Sequence, residues 1–306
     1  MDFGKLPSVD FVDFSFPPEH PENAETLRHF PPVNRPRLYI GATGYHQKSW
    51  VGKWYPTGTR DREMLTQYGR QFSTMEHNAT HYRLPDSASV ARWREETPAD
   101  FRFCPKIPQV ISHARDLGAS NRLLDTFCDA IGELGDRLGC TFLQLPPHFS
   151  VDQLPLLERF LDRWPAAFPL AVEVRHPAFF MPDLDSELYF QMLTQRRVAA
   201  VITDVAGRRD VCHLRITAPV SMVRFVGNGL HPSDFTRVRA WADRMKPWMT
   251  GGLRELYFFT HEPDNLLSPE LARFAAEVFS AAMPAVWLRG PSEIVPPPQQ
   301  GDLFAQ

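Results

Sequence analysis

The chain has 306 residues, of which 43% are hydrophobic and 23% are charged, and these proportions are ordinary for a soluble globular protein. Its formal net charge of -3 argues against a protein that is basic over its whole surface and coats nucleic acid, so a polyanion would have to bind in a local basic cleft. Four scattered cysteines without a Cys-x-x-Cys pair, no apolar run of about 18 residues and no secretion signal favour a cytoplasmic protein with reduced thiols and no membrane span.

Two proline-rich segments flank the body of the chain. Prolines throughout residues 1–36 block regular helix, so we expect an N-terminal arm that is laid on the body or left mobile. Residues 291–306 form the second such segment, which we interpret as a flexible C-terminal tail. Residues 37–290 lie between them, and a length of roughly 250 residues is typical of one closed α/β barrel.

Short apolar runs between these segments predict eight strands, at residues 38–42, 73–78, 101–106, 141–146, 170–175, 199–204, 221–227 and 255–261. Helices are predicted between several of them, for example after the N-cap candidate Asp86 and over residues 121–139. Eight βα units predict a single (β/α)8 TIM barrel of the α/β class. The connection after residues 199–204 is weakly helical, and an open doubly wound sheet is the alternative.

The loop after the first predicted strand interleaves aromatic residues with lysines. Tyr45, Trp50 and Trp54 could stack on a base or sugar beside a phosphate. They could equally form a self-packed lid over the barrel mouth, because long loops are often lids. The loop lacks the Gly-Lys-Ser/Thr end of a phosphate-binding P-loop.

A ring of polar residues is predicted at the carboxyl ends of the strands, where barrel enzymes carry their sites. The last inward-facing positions are Glu76, Asn78, Lys106, Gln144, Glu173, Arg175, Asp204, Arg224 and His261. Burying a charge costs several kcal/mol unless it is paired or solvated. These residues therefore either form a plug of ion pairs or face a wet pocket.

The ring contains groups suited to two chemical roles. Lys106, Arg175 and Arg224 suit an anionic ligand. Glu76 and Glu173 suit acid/base work, in which neighbours keep one carboxylate ionised while burial raises the pKa of the other. The same two carboxylates also fit a retaining glycosidase, and Lys106 could instead form a Schiff base.

Several histidines lie at or beyond the predicted strand ends, which raises the question of a metal. His77 and His81 belong to no His-x-Glu or His-Glu-x-x-His motif, and strand alternation turns His77 away from Glu76. We expect His77 to be packed between the sheet and a helix. We therefore predict no cofactor and no metal site, and leave a divalent metal open.

Several motifs, in this order, resemble those of one known family: "GATGY", "MEHNATHYRLP", "LQLPPHF", "AVEVRHPAF" and "MVRFVG". Over about residues 38–289 the chain resembles the YecE-like proteins, the family numbered seventy-two among the domains of unknown function. The resemblance implies a TIM barrel, adds Tyr82 and His113 to the shared motif positions, and implies no established reaction. Similarity to the endonuclease IV and xylose isomerase barrels implies phosphodiester or sugar chemistry by analogy of fold, although the full zinc ligand set of endonuclease IV is not visible.

The C-terminal tail contains "QGDLF", which resembles the bacterial sliding-clamp binding peptide. In that peptide a glutamine and a terminal Leu-Phe pair anchor in a surface groove, so Gln300, Leu303 and Phe304 are the corresponding residues. The triple proline before it would hold the peptide extended from the barrel. The alternative is a chance match in a disordered end.

We therefore interpret the chain as a cytoplasmic enzyme performing hydrolase- or lyase-type acid/base chemistry on an anionic, phosphorylated or nucleic-acid-derived substrate. In this interpretation Glu76 and Glu173 transfer protons, and substrate is bound by Asn78, Tyr82, Lys106, His113, Gln144, Arg175, Asp204 and Arg224. Two alternatives stay open: a non-catalytic nucleic-acid-binding module tethered to the replication clamp, and a sugar isomerase or glycosidase.

Overall fold

A computed structural model describes residues 3–31 and 33–294. Its centre is formed by eight strands: β1 Arg37–Ala42, β2 Thr74–His77, β3 Arg102–Pro105, β4 Thr141–Gln144, β5 Leu170–Glu173, β6 Ala199–Asp204, β7 Val220–Val226 and β8 Glu255–His261. All the pairs in the order β3-β2-β1-β8-β7-β6-β5-β4 are parallel. Isolated bridges between β3 and β4, such as Lys106 with Phe142, nearly close the sheet into a barrel.

Helices surround the sheet: α1 Pro21–Arg28, α2 Met64–Gln71, α3 Ala79–Tyr82, α4 Ser87–Glu96, α5 Gln109–Ser112, α6 Leu123–Gly132, α7 Leu154–Arg163, α8 Leu184–Arg196, α9 Pro232–Gly251 and α10 Ser268–Ala282. The expected N-cap of α4 is present, because the Asp86 carboxylate accepts the Ser89 N–H at 2.7 Å. The predicted (β/α)8 barrel is confirmed, and the alternative of an open doubly wound sheet is wrong. A ninth strand that the sequence did not predict, β9 Trp287–Arg289, pairs with the start of β1.

Alternation along the strands divides the barrel core into two layers. Inward residues such as Tyr39, Phe142 and Tyr257 fill the barrel interior, while outward residues such as Ile40 and Ile202 pack against the helices. Both faces of each strand are therefore buried, as parallel sheets covered by helices require. Apolar side chains fill the barrel below its carboxyl-terminal end, where the polar residues begin.

The connection between β6 and β7, residues 205–219, contains no helix. The N-terminal helix α1 takes this place on the barrel surface. Asn23 of α1 donates to the Leu214 carbonyl and accepts from the Ile216 N–H, both at 2.8 Å. Glu22 at the start of α1 pairs with Arg215, which also pairs with Glu187 of α8. The segment before β1 thus completes the helical layer that the chain order leaves open.

Residues 3–31 lie along the body of the protein. The Phe14 ring covers the Arg237 guanidinium at 4.5 Å, and Phe16 packs edge-on against Trp241. Nearer the N-terminus, the Gly4 carbonyl accepts the Gly207 N–H at 2.8 Å. These contacts bring residues 4–10 to the carboxyl-terminal end of the barrel. Within the described ranges, no helix has both the length and the apolar character needed to cross a bilayer.

Candidate functional site at the barrel mouth

A cavity of about 960 Å³ opens at the carboxyl ends of the strands, and we call it the mouth. Strand ends form its floor, while residues 4–10 and the loops after β7 and β8 form its rim. The structure brings together here most of the residues predicted from strand alternation, namely Glu76, Asn78, Lys106, Gln144, Arg175, Arg224 and His261. Tyr82, which the family resemblance implied, also lines the mouth.

Arg224 of β7 lies at the centre of the floor, with 1% of its side chain exposed. Its Nε and Nη2 donate to the two carboxylate oxygens of Glu76 at 2.9 Å each. Its Nη1 donates to Glu173 Oε2 at 2.7 Å. The planar guanidinium suits this arrangement because it offers several N–H groups in fixed directions. One cation thus holds both carboxylates.

Gln144 joins the Glu173 side of this network to Lys106. Its Nε2 donates to Glu173 Oε2 at 2.7 Å, and its Oε1 accepts from Lys106 Nζ at 2.8 Å. Arg175 Nε donates to the other oxygen, Glu173 Oε1, at 3.1 Å. Lys106 is 8% exposed, and no carboxylate of the described residues lies within ion-pair distance of its ammonium.

On the opposite side of Arg224, two further side chains hydrogen-bond the Glu76 carboxylate. Asn78 Nδ2 donates to Glu76 Oε1 at 3.0 Å, and His261 Nε2 lies 2.9 Å from Glu76 Oε2. Burial lowers the pKa of His261, so the ring is neutral at pH 7. Because an ionised carboxylate only accepts hydrogen bonds, the proton of this neutral ring must be on Nε2.

Both carboxylates are ionised, which differs from the expectation that burial would raise the pKa of one of them. Burial does oppose ionisation, but the charge of Arg224 and the donated hydrogen bonds outweigh it. The pKa of Glu76 consequently lies well below its ordinary value, and that of Glu173 falls to about 2. Lys106 shifts toward neutrality instead, because burial, followed by the charge of Arg224, lowers its pKa to about 8.

Glu262, the residue directly after β8, also lines the mouth and was not predicted. The residue is 6% exposed; Oε2 accepts the Gly229 N–H at 2.8 Å, while Oε1 is buried and finds no hydrogen-bond partner among the described residues. A Cβ at Gly227 would lie 2.2 Å from Oε1, so a side chain there would displace the carboxyl group. Burial raises the pKa of Glu262 to about 7.

Asp204 was predicted to face the barrel interior and to bind substrate, but it does not face the interior. The inward residue at this end of β6 is Thr203, whose hydroxyl lies 3.4 Å from Glu173 Oε1. Asp204 points to the outer layer, where it pairs with Arg209 and Arg237 and accepts the Trp241 Nε1–H at 2.8 Å. Its carboxylate is fully buried in that cluster and does not line the mouth.

The aromatic residues of the loop after β1 were predicted to form a lid over the mouth or a stacking surface beside it, but they lie away from the mouth. Trp50 and Trp54 are buried, and Trp50 Nε1 donates to the Leu266 carbonyl at 3.0 Å. Tyr45 is partly buried against the same outer core. None of Tyr45, Trp50 and Trp54 lines the mouth, whereas Thr43 at the start of the loop does.

The remaining predicted residues lie beside the mouth or outside the described chain. His113 lines a neighbouring cavity together with Tyr82. His77 packs edge-on against Trp93 at 4.3 Å between sheet and helix. Gln300, Leu303 and Phe304 of the tail lie outside the described residues. Across residues 3–31 and 33–294, no group of three or more His, Cys, Asp or Glu side chains is arranged to hold a metal ion.

The sequence profile of a family described as "Protein of unknown function DUF72" matches residues 39–296. The chain is 32% identical over 285 residues to UPF0759 protein YecE of Escherichia coli (strain K12), which covers 87% of this chain and all of that relative. It is 25% identical over 152 residues to UPF0759 protein YunF of Bacillus subtilis (strain 168), which covers 47% of this chain and 53% of that relative.

Solved structures of DUF72 family proteins share the fold. One from Enterococcus faecalis V583 has a TM-score of 0.64 at 16% identity, over 81% of this chain and 99% of that one. Another from Thermotoga maritima MSB8 has a TM-score of 0.61 at 21% identity, over 80% of this chain and 98% of that one.

Proposed function

The chain belongs to the DUF72 family of proteins of unknown function, and we propose that it is an enzyme that binds a small anionic substrate in the mouth and moves protons there. The substrate class is a phosphorylated or nucleic-acid-derived molecule, and the chemistry is of the hydrolase or lyase type. One observation carries the proposal: Lys106 is buried on the floor of a polar cavity, and no carboxylate in the described part of the chain lies within ion-pair distance of it.

The charges on the floor favour an anion. Three cations, Lys106, Arg175 and Arg224, lie with two ionised carboxylates, which leaves one positive charge in excess among these residues. Desolvating a cation costs several kcal/mol unless an opposite charge compensates. The Lys106 ammonium has three N–H groups, and one of them donates to Gln144. A phosphate or carboxylate in the mouth would supply the compensating charge.

Glu76 and Glu173 support this site by positioning the cations. With pKa values held low by Arg224, they are poor proton donors and weak bases at neutral pH. Proton transfer is most effective for groups whose pKa lies near the working pH. We therefore assign it to Glu262, whose Oε1 has no described partner, and to Lys106.

The alternatives receive less support from the geometry. A retaining glycosidase uses two carboxyl groups that act on opposite sides of a sugar bond, whereas Glu76 and Glu173 are both bonded to Arg224. A non-catalytic binding module would use the same cations to hold the anion and would differ by showing no turnover.

Binding of inorganic phosphate and ribose 5-phosphate, measured by titration calorimetry, tests the anion site. We expect Lys106→Met to weaken both by at least about tenfold, the loss of one charge-assisted contact. The control Lys53→Met removes a lysine that pairs with Glu270 outside the mouth and should leave both affinities unchanged. Equal binding by Lys106→Met and the parent chain would refute the anion site.

A turnover screen on phosphoesters and phosphorylated sugars then separates an enzyme from a binding module. We expect activity that depends on pH near 7 and is lost in Glu262→Gln, with anion affinity retained. Anion binding without turnover on any member of the library would favour the module.

A further inference from the structure

A second cavity, of about 530 Å³, adjoins the mouth, and we call it the side pocket. Its wall comes from the segments after β2 and β3 and includes Tyr82, Arg83, Leu84, Pro108, Val110 and His113. Tyr82 lines both cavities and is 80% exposed. A large aromatic side chain therefore stands between the cationic floor and the side pocket with most of its surface open to solvent.

Two hydrogen bonds fix the short helix α3, which ends at Tyr82, relative to the segment that carries Lys106. Thr80 Oγ1 of α3 donates to the Lys106 carbonyl at 2.7 Å, and His81 Nδ1 lies 2.9 Å from the Ile107 carbonyl. Both bonds tie the short helix that ends at Tyr82 to the backbone of residues 106 and 107. The backbone that carries Lys106 and the backbone that carries Tyr82 thus belong to one local framework.

The walls of the side pocket suit an uncharged planar group. Leu84, Pro108 and Val110 supply apolar surface, and Gln109 and Arg83 supply hydrogen-bonding groups at the edge. Burial lowers the pKa of His81 to about 4 and that of His113 below its ordinary value, so both rings are neutral at pH 7. The charge that the side pocket offers to a ligand therefore comes from the Arg83 guanidinium at its edge.

We propose that the side pocket is the base-binding subsite for a nucleotide, whose phosphate contacts Lys106 in the mouth while its base stacks on Tyr82. The phosphate part of this inference rests on the proposed function. The base part narrows the substrate class to a nucleotide. Aromatic rings bind bases of any sequence by stacking, because every base has a π face. The nucleotide has two sources, a free mononucleotide or the phosphorylated end of a single strand.

Binding of adenosine, ribose 5-phosphate, adenosine monophosphate and a 5′-phosphorylated trinucleotide to the full chain tests the inference. We expect adenosine monophosphate to bind about tenfold more tightly than ribose 5-phosphate, the effect of one stacked base. Tyr82→Ala should abolish this difference, so that ribose 5-phosphate and adenosine monophosphate bind with equal affinity. Tyr82→Phe, which keeps a stacking ring, and Phe11→Ala, which removes a fully exposed aromatic outside both cavities, should retain it.

The outcomes separate the two proposals. The base subsite is overturned if ribose 5-phosphate and adenosine monophosphate bind the parent chain equally, or if adenosine monophosphate still binds more tightly in Tyr82→Ala. The proposed function still stands in either case if phosphate binding depends on Lys106. Adenosine binding that requires Tyr82, without binding of ribose 5-phosphate, supports the subsite and refutes the anion site. If the base subsite is correct, tighter binding of the trinucleotide than of the mononucleotide identifies a strand end, and equal binding identifies a free nucleotide.

Discussion

Replacing Arg224 with methionine would leave Glu76 and Glu173 in the barrel without the cation that they share. Three charge-assisted hydrogen bonds would be lost, and removing one partner of a buried ion pair costs about 3–5 kcal/mol. Donors such as His261 and Gln144 would still bond the carboxylates. We therefore expect the free energy of unfolding at pH 8 to fall by about 5 kcal/mol, the upper end of that range.

The pH dependence of this loss of stability, which we call the deficit of Arg224→Met, identifies its cause. In the parent chain the folded-state pKa of Glu173 is lowered to about 2, so its stabilising contribution is present above the unfolded pKa of 4.5 and is lost only as the pH falls through 2. Without Arg224, burial dominates and raises the pKa of both carboxylates. Their protonation then relieves the cost, and the deficit should shrink between pH 8 and pH 5.

Urea unfolding followed by circular dichroism and tryptophan fluorescence at both pH values measures this effect. Arg196→Met is the matched control, because Arg196 pairs with Glu158 and Asp162 at the surface, where ion pairs contribute about 0–1 kcal/mol. Adding Glu76→Gln and Glu173→Gln to Arg224→Met should recover part of the stability. An Arg224→Met deficit below about 1 kcal/mol, or one of equal size at pH 5 and pH 8, would refute the reasoning.

Three further predictions concern other parts of the molecule. Since burial raises the folded-state pKa of Glu262 to about 7, the parent chain should lose about 3 kcal/mol more than Glu262→Gln as pH rises from 4.5 to 8; equal slopes in urea unfolding would contradict this. Phe3 covers the Arg175 guanidinium at 4.4 Å, so Phe3→Ala should speed amide hydrogen exchange at Gly207, which bonds Gly4, whereas Phe11→Ala should not. Deleting residues 300–306 should abolish capture by a purified bacterial sliding clamp, and unchanged capture would remove the clamp proposal.

Strand positions and most of the ring could be predicted from the sequence because both follow from local patterns. Buried parallel strands give short apolar runs, and inward-facing residues recur at every second position. The alternation failed at β6, where "AAVITD" is buried on both faces and its two polar residues, Thr203 and Asp204, are adjacent, so that polarity alone does not fix the register. A shift by one position exchanged Thr203 for Asp204.

The features that the sequence did not predict depend on residues far apart in the chain. Trp50 is fixed by a bond to Leu266, 216 positions away, so its spacing alone could not show that the ring is buried. Glu262 owes its raised pKa to burial, and the glycine whose missing Cβ leaves space for its carboxyl group lies in another loop. A carboxylate directly after the last inward residue of β8 was the local signal available.

The two arrangements considered for the ring, an ion-pair plug and a wet pocket, are both present in the structure. Arg224, Glu76 and Glu173 neutralise one another at the centre. Lys106 joins them through Gln144, and Glu262 follows directly after His261, whose ring bonds Glu76.

Lys106 thus lies at one end of a continuous hydrogen-bonded network that includes both ionised carboxylates and ends at His261. The Glu262 carboxyl group lies outside this network and accepts from the Gly229 N–H. Such a network holds its dipoles and charges in place before a ligand arrives, which is the condition under which electrostatic stabilisation is most effective. Mutating the central residues should therefore disturb folding first, whereas mutating Lys106 or Glu262 should disturb binding or proton transfer in a chain that still folds.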